Sequence, residues 1–486
     1  MNFLIIKRML GWLLVFEAIF FLVPLITALV YGETACIIAF LVSIAICLVI
    51  GGVCLIGKPK DESLYAKEGF VIVALSWIVM SLFGALPFVI SGAIPNYIDA
   101  LFETVSGFTT TGATVIPVQQ GVESMPKAIL IWRSFTHWVG GMGVLVFIMA
   151  FLPLSGAKNM HLMKAESPGP TVGKLVPKVR TTALILYCIY FVMTLVQFIL
   201  LICGKMPVFD ALNTAFATAG TGGFSVKNDG FAGYSSYLQI VVTVFMLLFS
   251  INFNSYYLIG KGKFKDAFTT EVKTFLIIVG CAIALVAANL MFSSTDTITT
   301  FGEALKHAAF TVASIISTTG FATEDFAGNW PALSQTVLVI LMFIGACAGS
   351  TGGGIKVSRF CVLFKGTTNQ IGKMLHPNLV KKVTMDKKVV DDDTVQGIYT
   401  FLVAYVFIFV ASLVIVACNG YDMTTNFTAV AATINNVGPG LGAVGPSGSF
   451  ANFSVLSKLV FIFDMLVGRL EVFPMLLLFA PSTWRK

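Results

Sequence analysis

Four short segments of this chain place hydroxyl or amide side chains shortly before a glycine, within otherwise apolar stretches. They are Thr109–Thr114, Gly220–Ser225, Ser317–Ala322 and Asn435–Gly440. Their key glycines, at positions 112, 223, 320 and 438, recur at intervals of 111, 97 and 118 residues. Glycine permits backbone angles that other residues avoid, so consecutive carbonyl oxygens can turn toward one axis. Four such loops would surround a dehydrated cation with oxygen ligands, as a selectivity filter does.

The chemistry of these loops favours potassium as the cation. Carbonyl and hydroxyl oxygens can replace its hydration shell, whereas a divalent site uses carboxylates, which the loops lack. The candidate ligands are the three residues that end at each glycine: Thr110, Thr111, Gly112, Thr221, Gly222, Gly223, Thr318, Thr319, Gly320, Asn436, Val437 and Gly438. The second loop departs most from a Thr-Thr-Gly pattern, and the fourth contains two asparagines and a proline. Four unequal loops from one chain predict an asymmetric ring.

Composition places these loops inside a membrane protein. The chain is 57% apolar and only 11% charged, whereas soluble domains carry about 25% charged residues. Many of its apolar stretches exceed the roughly 20 residues that cross a bilayer. They predict ten spanning helices, near 3–30, 35–56, 68–91, 128–153, 179–203, 234–259, 272–294, 334–361, 395–419 and 454–481.

The glycine segments divide these helices into a repeated pattern. One segment lies between the third and fourth helices, and the others follow the fifth, seventh and ninth. Non-helical backbone at membrane depth persists only when it is buried in protein or lines a water-filled path. We therefore predict an all-α polytopic membrane protein with four pseudo-repeated helix–pore-helix–helix units around one pore, plus an N-terminal helix pair. The predicted boundaries are 1–60 for the pair and 61–157, 158–260, 261–365 and 366–486 for the units.

An acidic residue stands where each short pore helix should begin. Asp99 and Asp210 lie 13 residues before their glycines, and Glu303 and Asp422 lie 17 and 16 residues before theirs. A negative charge complements the positive N-terminal end of a helix dipole. The opposite ends of the four helices would then direct partial negative charge at the cation. Capping explains each acid alone, but not its fourfold recurrence.

Charge predicts how the chain crosses the membrane. Lysines and arginines cluster at 7–8, 58–67, 158–180, 261–273, 356–388 and 485–486. The positive-inside rule makes that side cytoplasmic, with both termini inside and the loops entering from outside. The other side is acidic and would concentrate cations, unless its residues merely solvate loops: Asp99, Glu103, Glu123, Asp210, Asp229, Asp296, Glu303, Glu324, Asp325 and Asp422. This distribution of the +7 net charge argues against a nucleic-acid partner.

The predicted eighth helix contains a run of glycines, at Gly345, Gly349, Gly352, Gly353 and Gly354. Each costs roughly 1 kcal/mol relative to alanine in a helix interior, so three in a row should unwind the helix. The flexible segment could plug or clear a path below the filter, and close helix packing through small residues is the alternative. A phosphate-binding loop fits poorly, because no Gly-Lys-Ser/Thr follows.

The remaining reactive residues form no catalytic or metal-binding pattern. Nine cysteines occur without a Cys-x-x-Cys pair, so neither a disulfide framework nor a zinc site is indicated. A membrane-embedded enzyme would need clustered His, Asp, Glu or Cys, so we expect no enzymatic activity. His137 is interpreted as structural, and Glu17 is expected to pair within the protein or near an interface.

Together these features resemble the Trk/Ktr/HKT superfamily of potassium transporters, specifically its bacterial TrkH type. The resemblance covers essentially the whole chain and rests on the four loops, on His137–Gly143, on Gly349–Lys356 and on the N-terminal helix pair. It implies that the loop glycines form the filter and that glycine at position 112 goes with potassium selectivity. It also implies an intramembrane gating loop made of Gly349, Ser350, Thr351, Gly352, Gly353, Gly354 and Lys356.

Arg469 is a charged residue in the predicted last helix. Its sequence neighbours Asp464 and Glu471 are possible partners, which would make the group structural. The resemblance implies instead that Arg469 projects into the pore beneath the filter, opposes the passage of cations and contacts the gating loop.

The resemblance also implies an assembly and a function. TrkH-type proteins work as homodimers in the bacterial cytoplasmic (inner) membrane, with a cytosolic TrkA-type ring that binds nucleotide and controls the gate. The basic loops 158–180, 260–273 and 357–394 offer a docking face, or contacts for anionic lipid headgroups. We expect potassium uptake through a channel-like pore, with K⁺ as the transported ion and no organic cofactor on this chain. The alternative is a proton- or sodium-coupled symporter, a class that usually shows inverted repeats and titratable midplane groups.

Overall fold

The computed structural model describes residues 1–57, 66–143, 179–293, 300–378 and 381–484. Within these ranges, six helices are long and apolar enough to cross a membrane. They are Phe3–Tyr31, Thr34–Leu55, Lys67–Ile90, Thr181–Cys203, Thr270–Phe292 and Asp392–Asn419. The pair Ser236–Phe249 and Phe253–Gly260 gives a seventh candidate, which bends by 92° at its break.

The first half of the chain consists of an N-terminal group and two units. The N-terminal group is α1 (Phe3–Phe20), α2 (Leu22–Tyr31) and α3 (Thr34–Leu55). The first unit is α4 (Ala66–Gly84), α5 (Leu86–Ile90), α6 (Tyr97–Phe108) and α7 (Lys127–Gly141). The second unit is α8 (Val179–Cys203), α9 (Val208–Gly220), α10 (Ser236–Phe249) and α11 (Phe253–Gly260), followed by the short α12 (Phe264–Ala267).

The second half repeats this order twice. The third unit is α13 (Thr270–Phe292), α14 (Phe301–Ile316), α15 (Phe326–Asn329), α16 (Ala332–Phe343) and α17 (Val357–Leu375). A hairpin of β1 (Thr384–Met385) and β2 (Lys388–Val389) leads to the fourth unit, which is α18 (Asp392–Val416), α19 (Met423–Ile434), α20 (Val455–Arg469), α21 (Phe473–Phe479) and α22 (Pro481–Trp484). The predicted boundaries at 61 and 158 lie outside the described residues, and the boundary after 365 falls within α17.

The N-terminal helices pack on one another through small residues and contact the first unit through one carboxylate. A Cβ built at Gly11 of α1 would lie 3.0 Å from the carbonyl oxygen of Gly51 in α3, so these helices approach closely. Glu33 accepts hydrogen bonds from the backbone amides of Lys127 (2.6 Å) and Ala128 (3.0 Å). Because the first amides of a helix have no partner within it, Glu33 satisfies the start of α7.

Glu17 of α1 does not pair as expected. Its side chain is fully buried, and both carboxylate oxygens lack a hydrogen-bond partner among the described residues. A Cβ built at Gly84 would lie 3.2 Å from Glu17 Oε1, so the carboxylate lies against the end of α4. The predicted pairing of Glu17 is therefore wrong for the part of the chain that is described.

In every unit the helix after the glycine loop ends partway, at Gly141, Phe249, Phe343 or Arg469. The sequence predicted such a break only in the third unit, from its glycine run. The predictions of uninterrupted helices over 234–259 and 454–481 were therefore wrong. Those two breaks contain no glycine run. Asn252 caps α11, and Glu471 and Val472 after α20 adopt left-handed φ angles of 55° and 70°. The rest of the helix predicted over 128–153 lies beyond Gly143, outside the described residues.

Candidate functional site

The helix before each of the four glycine loops ends with the same backbone geometry. The residue two places before each glycine is left-handed: Thr110 (φ 56°), Thr221 (55°), Thr318 (60°) and Asn436 (55°). Its amide donates to the carbonyl three residues back, and the next amide donates to the carbonyl five residues back, over 2.8 to 3.2 Å. This pair of bonds defines the Schellman motif, which usually has glycine at the left-handed position. The second loop therefore keeps the register of the others despite its Thr-Gly-Gly sequence.

The loops close into a ring through their glycines, whose φ angles lie between 75° and 97°. In each contact, a Cβ on the glycine would collide with the carbonyl oxygen of the middle residue of the next loop. The built distances are 2.0 Å for Gly112 to Gly222, 1.8 Å for Gly223 to Thr319, 2.3 Å for Gly320 to Val437 and 2.6 Å for Gly438 to Thr111. The fourth loop thus contacts the first. We call residues 110–112, 221–223, 318–320 and 436–438 the four-loop ring.

Cavities lie at both ends of the four-loop ring. The wide cavity, about 290 Å³, is lined by all four loop glycines and by residues that follow them, including Asp229, Glu324 and Asp325. The narrow cavity, about 70 Å³, is lined by residues between α16 and α17 and by Arg469. In the described ranges no three His, Cys, Asp or Glu side chains converge on a metal position. The ring therefore offers a cation carbonyl and hydroxyl oxygens rather than carboxylates.

Each loop follows a short, largely buried helix that starts with an acid. Asp99, Asp210 and Glu303 lie in the first turns of α6, α9 and α14, and Asp422 is the N-cap of α19. The hydroxyl and the amide of Thr425 donate to Asp422 and hold the pKa of that carboxyl below its usual range. The predicted placement of the four acids is confirmed, and the partially negative ends of the helices face the ring.

Glu103 was predicted to belong to the acidic surface, and this prediction is wrong. It is fully buried and forms an ion pair with Arg133 at 2.7 Å. Its carboxylate also accepts the hydroxyl of Thr114 (3.0 Å) and the amide of Val115 (3.0 Å). Glu103 therefore holds the chain just after Gly112. A buried carboxylate is tolerated only when it is paired and hydrogen-bonded in this way.

His137 uses both ring nitrogens within the protein. Its Nδ1 donates to the carbonyl of Gly107 at 2.7 Å, and its Nε2 accepts the amide of Phe224 at 3.3 Å. Gly107 belongs to α6 and Phe224 follows the second loop, so His137 connects two units. These bonds favour the structural interpretation of His137.

The chain between α16 and α17, residues 344–356, contacts the ring at its narrow-cavity end. We call it the glycine-rich segment. The amide of Gly353 donates to Thr318 Oγ1 at 2.7 Å. A Cβ built at Gly353 would lie 2.7 Å from the carbonyl oxygen of Asn435, and one at Gly352 would lie 3.0 Å from that of Ser317. The predicted break in the eighth helix is present, and it contacts the third and fourth loops.

One buried carboxylate binds the backbone on both sides of residues 349–357. Oε1 of Glu271, at the start of α13, accepts the amides of Ala348 (2.7 Å) and Ser358 (3.0 Å). Between these anchors, the hydroxyl of Thr351 donates to the carbonyl of Phe249 at 3.1 Å. Glu271 thus anchors the segment at Ala348 and the first turn of α17 at Ser358.

Arg469, the last residue of α20, reaches the glycine-rich segment. Its Nη1 donates to the carbonyl of Thr351 at 2.8 Å. Its Nη2 donates to the carbonyls of Gly140 (2.5 Å) and Gly141 (2.7 Å), at the end of α7. Arg469 therefore connects the first, third and fourth units at the narrow cavity.

The two acids near Arg469 in sequence have other partners. Asp464 accepts the hydroxyl of Ser412 at 2.7 Å. Glu471 forms an ion pair with Arg359, whose guanidinium lies 3.9 Å from the ring centre of Phe401. These contacts give both carboxylates a role that does not depend on Arg469.

Lys356 brings a second cation to the glycine-rich segment. Its side chain is almost fully buried, and its ammonium donates to the carbonyls of Gly352 and Gly353. Arg469 donates to the carbonyl of Thr351, so positively charged side chains bind the carbonyl oxygens of three successive residues of the segment. These interactions hold the segment in the observed position.

Several residues of the site were not identified from the sequence. Glu33, Glu103, Arg133 and Glu271 each have at least one partner between 30 and 95 residues away. Each is a charged residue within or at the end of an apolar helix, and that signal marks a buried interaction. Sequence spacing does not reveal which partner it meets.

Known proteins resemble this chain over its whole length. Residues 37–486 match the TrkH family, described as a cation transport protein. The Trk system potassium uptake protein TrkH of Salmonella typhimurium is 35% identical over 499 residues, covering 100% of both chains. The Trk system potassium uptake protein TrkG of Escherichia coli is 32% identical, covering 99% of this chain and 98% of the relative. The crystal structure of the potassium transporter TrkH from Vibrio parahaemolyticus aligns with a TM-score of 0.88 and 33% identity, covering 100% of both chains.

Proposed function

Because this chain belongs to the TrkH family of cation transport proteins, we propose that it takes up potassium through a channel-like pore whose filter is the four-loop ring. The observation that carries this proposal is the closed contact of four glycines with four neighbouring carbonyls. Oxygen dipoles without a fixed charge suit a monovalent cation that must bind and leave again. The relatives are named as potassium uptake proteins, which supports transport rather than catalysis.

Hydroxyl groups supplement the carbonyl ligands at the narrow-cavity end of the filter. Thr110 Oγ1 is buried and has no hydrogen-bond partner among the described residues, so it is available to a cation. The equivalent Thr318 Oγ1 instead accepts the amide of Gly353. The inner end of the filter is therefore asymmetric while the glycine-rich segment is in place.

The direction of transport follows from the proposed orientation in the bacterial inner membrane. With both termini in the cytoplasm, the wide cavity faces outward and its acids attract cations. A negative cell interior then drives potassium inward by about 2.3 kcal/mol per 100 mV. The narrow cavity opens toward the cytoplasm.

The gate in this proposal is the glycine-rich segment together with Lys356 and Arg469. The segment touches the filter at Thr318, and both cationic side chains bind its carbonyls. A positive charge beneath the filter also opposes a permeating cation. Residues 349–354, between the Glu271 anchors, are the part that moves in this proposal.

Flux through an uncoupled pore should depend only on the potassium gradient and the membrane voltage. In liposomes that contain the purified chain, we expect the reversal potential to follow the potassium gradient and to stay fixed when a pH or sodium gradient is imposed. A reversal potential that shifts with either gradient would support the coupled symporter instead. Protein-free liposomes measure the background leak.

Shortening the glycine-rich segment should open the gate. Deleting Gly352–Gly354 removes the hydrogen bond from the Gly353 amide to Thr318 and the carbonyls that accept from Lys356, so rubidium flux without any partner protein should rise. Flux into liposomes is measured beside gel-filtration profiles that verify folding. Loss of flux in a folded deletion variant would contradict the gating role. Deleting Gly262, an exposed glycine in the turn between α11 and α12, is a control outside the ring and the glycine-rich segment.

The proposal includes a second copy of the chain and a cytosolic partner that controls the gate. We propose that the chain works as a homodimer and that a cytosolic TrkA-type ring binds nucleotide and moves the glycine-rich segment. The relatives are named as parts of a Trk system, which supports the existence of further components. Residues 260–273 and 357–394, predicted as loops, include α12, the start of α13 and the whole of α17, and they carry basic residues on the proposed cytoplasmic side. Residues 158–178 lie outside the described residues.

A further inference from the structure

Phe224, the residue after the second loop glycine, lies between two polar side chains of α7. The guanidinium carbon of Arg133 lies 4.0 Å from the centre of its ring, and the His137 ring centre lies 4.3 Å away. His137 also accepts the Phe224 amide. Arg133 and His137 are four residues apart, so they lie on the same face of the helix. One face of α7 thus fixes both the ring and the backbone of Phe224.

The same two side chains hold the first loop. Arg133 Nε donates to Glu103, which in turn accepts the amide of Val115 after Gly112. His137 Nδ1 donates to Gly107, five residues before Gly112. The first and second loops are therefore connected by a continuous set of polar contacts through α7.

The other units have no equivalent polar pair. His137 lies four residues before the last residue of α7. The residues four places before the ends of α10, α16 and α20 are apolar: Phe245, Val339 and Met465. The position of Arg133 is taken by Val241, Gln335 and Phe461. Phe321, which matches Phe224 after the third glycine, packs on the ring of Phe231 at 4.7 Å. An Arg/His pair at these two helix positions is thus specific to the joint between the first and second loops.

We propose that Arg133 and His137 are positioning residues that set the spacing of the first and second loops and thereby determine how strongly the pore rejects sodium. This inference rests on the proposed function of the four-loop ring as the filter. Both side chains act through the protein, and Arg133 also lines the wide cavity. They act by holding main-chain groups on both sides of the Gly112–Gly222 contact, where a small displacement changes the distance between opposing carbonyls. A buried donor or acceptor without its partner is costly, so the loops are strongly held at this spacing.

The test compares selectivity in variants of the full-length chain reconstituted in liposomes. His137→Leu removes both hydrogen bonds, and we expect the ratio of rubidium to sodium flux to fall by about tenfold. His137→Gln keeps a donor and an acceptor at similar reach and should stay within about threefold of the parent. Phe245→Leu, at the equivalent position of α10, is the matched control and should leave the ratio unchanged. Arg133→Lys keeps the charge but loses the fork that engages Glu103 and stacks on Phe224, so it should also lower the ratio.

Thermal unfolding in detergent separates selectivity from simple destabilisation, and Arg133→Lys keeps the proposal testable if His137→Leu does not fold. An unchanged ratio in folded His137→Leu or Arg133→Lys protein would overturn the positioning role. A ratio that falls equally in Phe245→Leu would overturn it too, because the effect would not be specific to this joint. Gly112→Ser, measured in parallel, distinguishes the two ideas. If Gly112→Ser lowers the rubidium-to-sodium ratio while the α7 variants do not, the four-loop ring is supported as the filter and the positioning role is contradicted.

Discussion

Replacing Gly112 with serine should lower the preference of the pore for potassium over sodium by at least about tenfold, equivalent to about 1.4 kcal/mol. The φ angle of 79° is unfavourable for serine, and its Cβ would lie 2.0 Å from the carbonyl oxygen of Gly222. The second loop must move, so the ring can no longer match the size of a dehydrated potassium ion. Rubidium and sodium fluxes into liposomes measure the change.

Gly92→Ser is the matched control for this substitution. Gly92 has a similar φ of 75°, but a Cβ built there meets nothing within 4 Å. Serine at position 92 therefore carries the same backbone strain without disturbing the ring, and selectivity should be retained. If Gly112→Ser left selectivity unchanged in a folded protein, the four-loop ring would not be the filter.

Replacing Arg469 with alanine should raise flux in the absence of any partner by at least about tenfold. The substitution removes hydrogen bonds from a guanidinium to Thr351, Gly140 and Gly141. Hydrogen bonds to charged groups contribute about 1.5–3 kcal/mol each, so the loss of even one shifts a closed–open equilibrium by about tenfold or more. The positive charge at the narrow cavity is lost as well. Initial rates of rubidium uptake measure the effect.

Arg469→Lys separates the two contributions of this side chain. Lysine keeps the positive charge but cannot reproduce the planar fork that reaches Thr351 and α7 together. We expect an intermediate flux, between those of the parent and Arg469→Ala. Equal fluxes for the parent and a folded Arg469→Ala variant would remove Arg469 from the gate.

The family and the fold class predicted from the sequence are confirmed by the full-length relatives and by the structural match. The acids that begin the four pore helices and the glycine break before α17 were also correct. These features follow from composition and from residues close together in the chain. The apolar sequences on either side of Ser250 and Leu470 hid two helix breaks, because hydropathy does not reveal a change of direction inside an apolar stretch.

Long-range contacts account for what the sequence did not predict. Glu103 was assigned to the acidic outer side together with the other carboxylates there, yet it meets Arg133 in the interior. Glu271 meets Ala348, 77 residues away. The shared backbone of the four loops was also not evident, because threonine, which holds this position in three of them, rarely adopts a left-handed conformation.

The circular contact of the four loops explains why their sequences can differ. Each joint consists of a glycine without a side chain and a main-chain carbonyl, groups that every repeat can supply. The other side chains are therefore free to specialise: Thr318 binds the glycine-rich segment, Asn436 donates to Thr111, and Phe224 is held by α7. Four copies of one unit can thus diverge in the contacts that their side chains make, while the four-loop ring keeps its geometry.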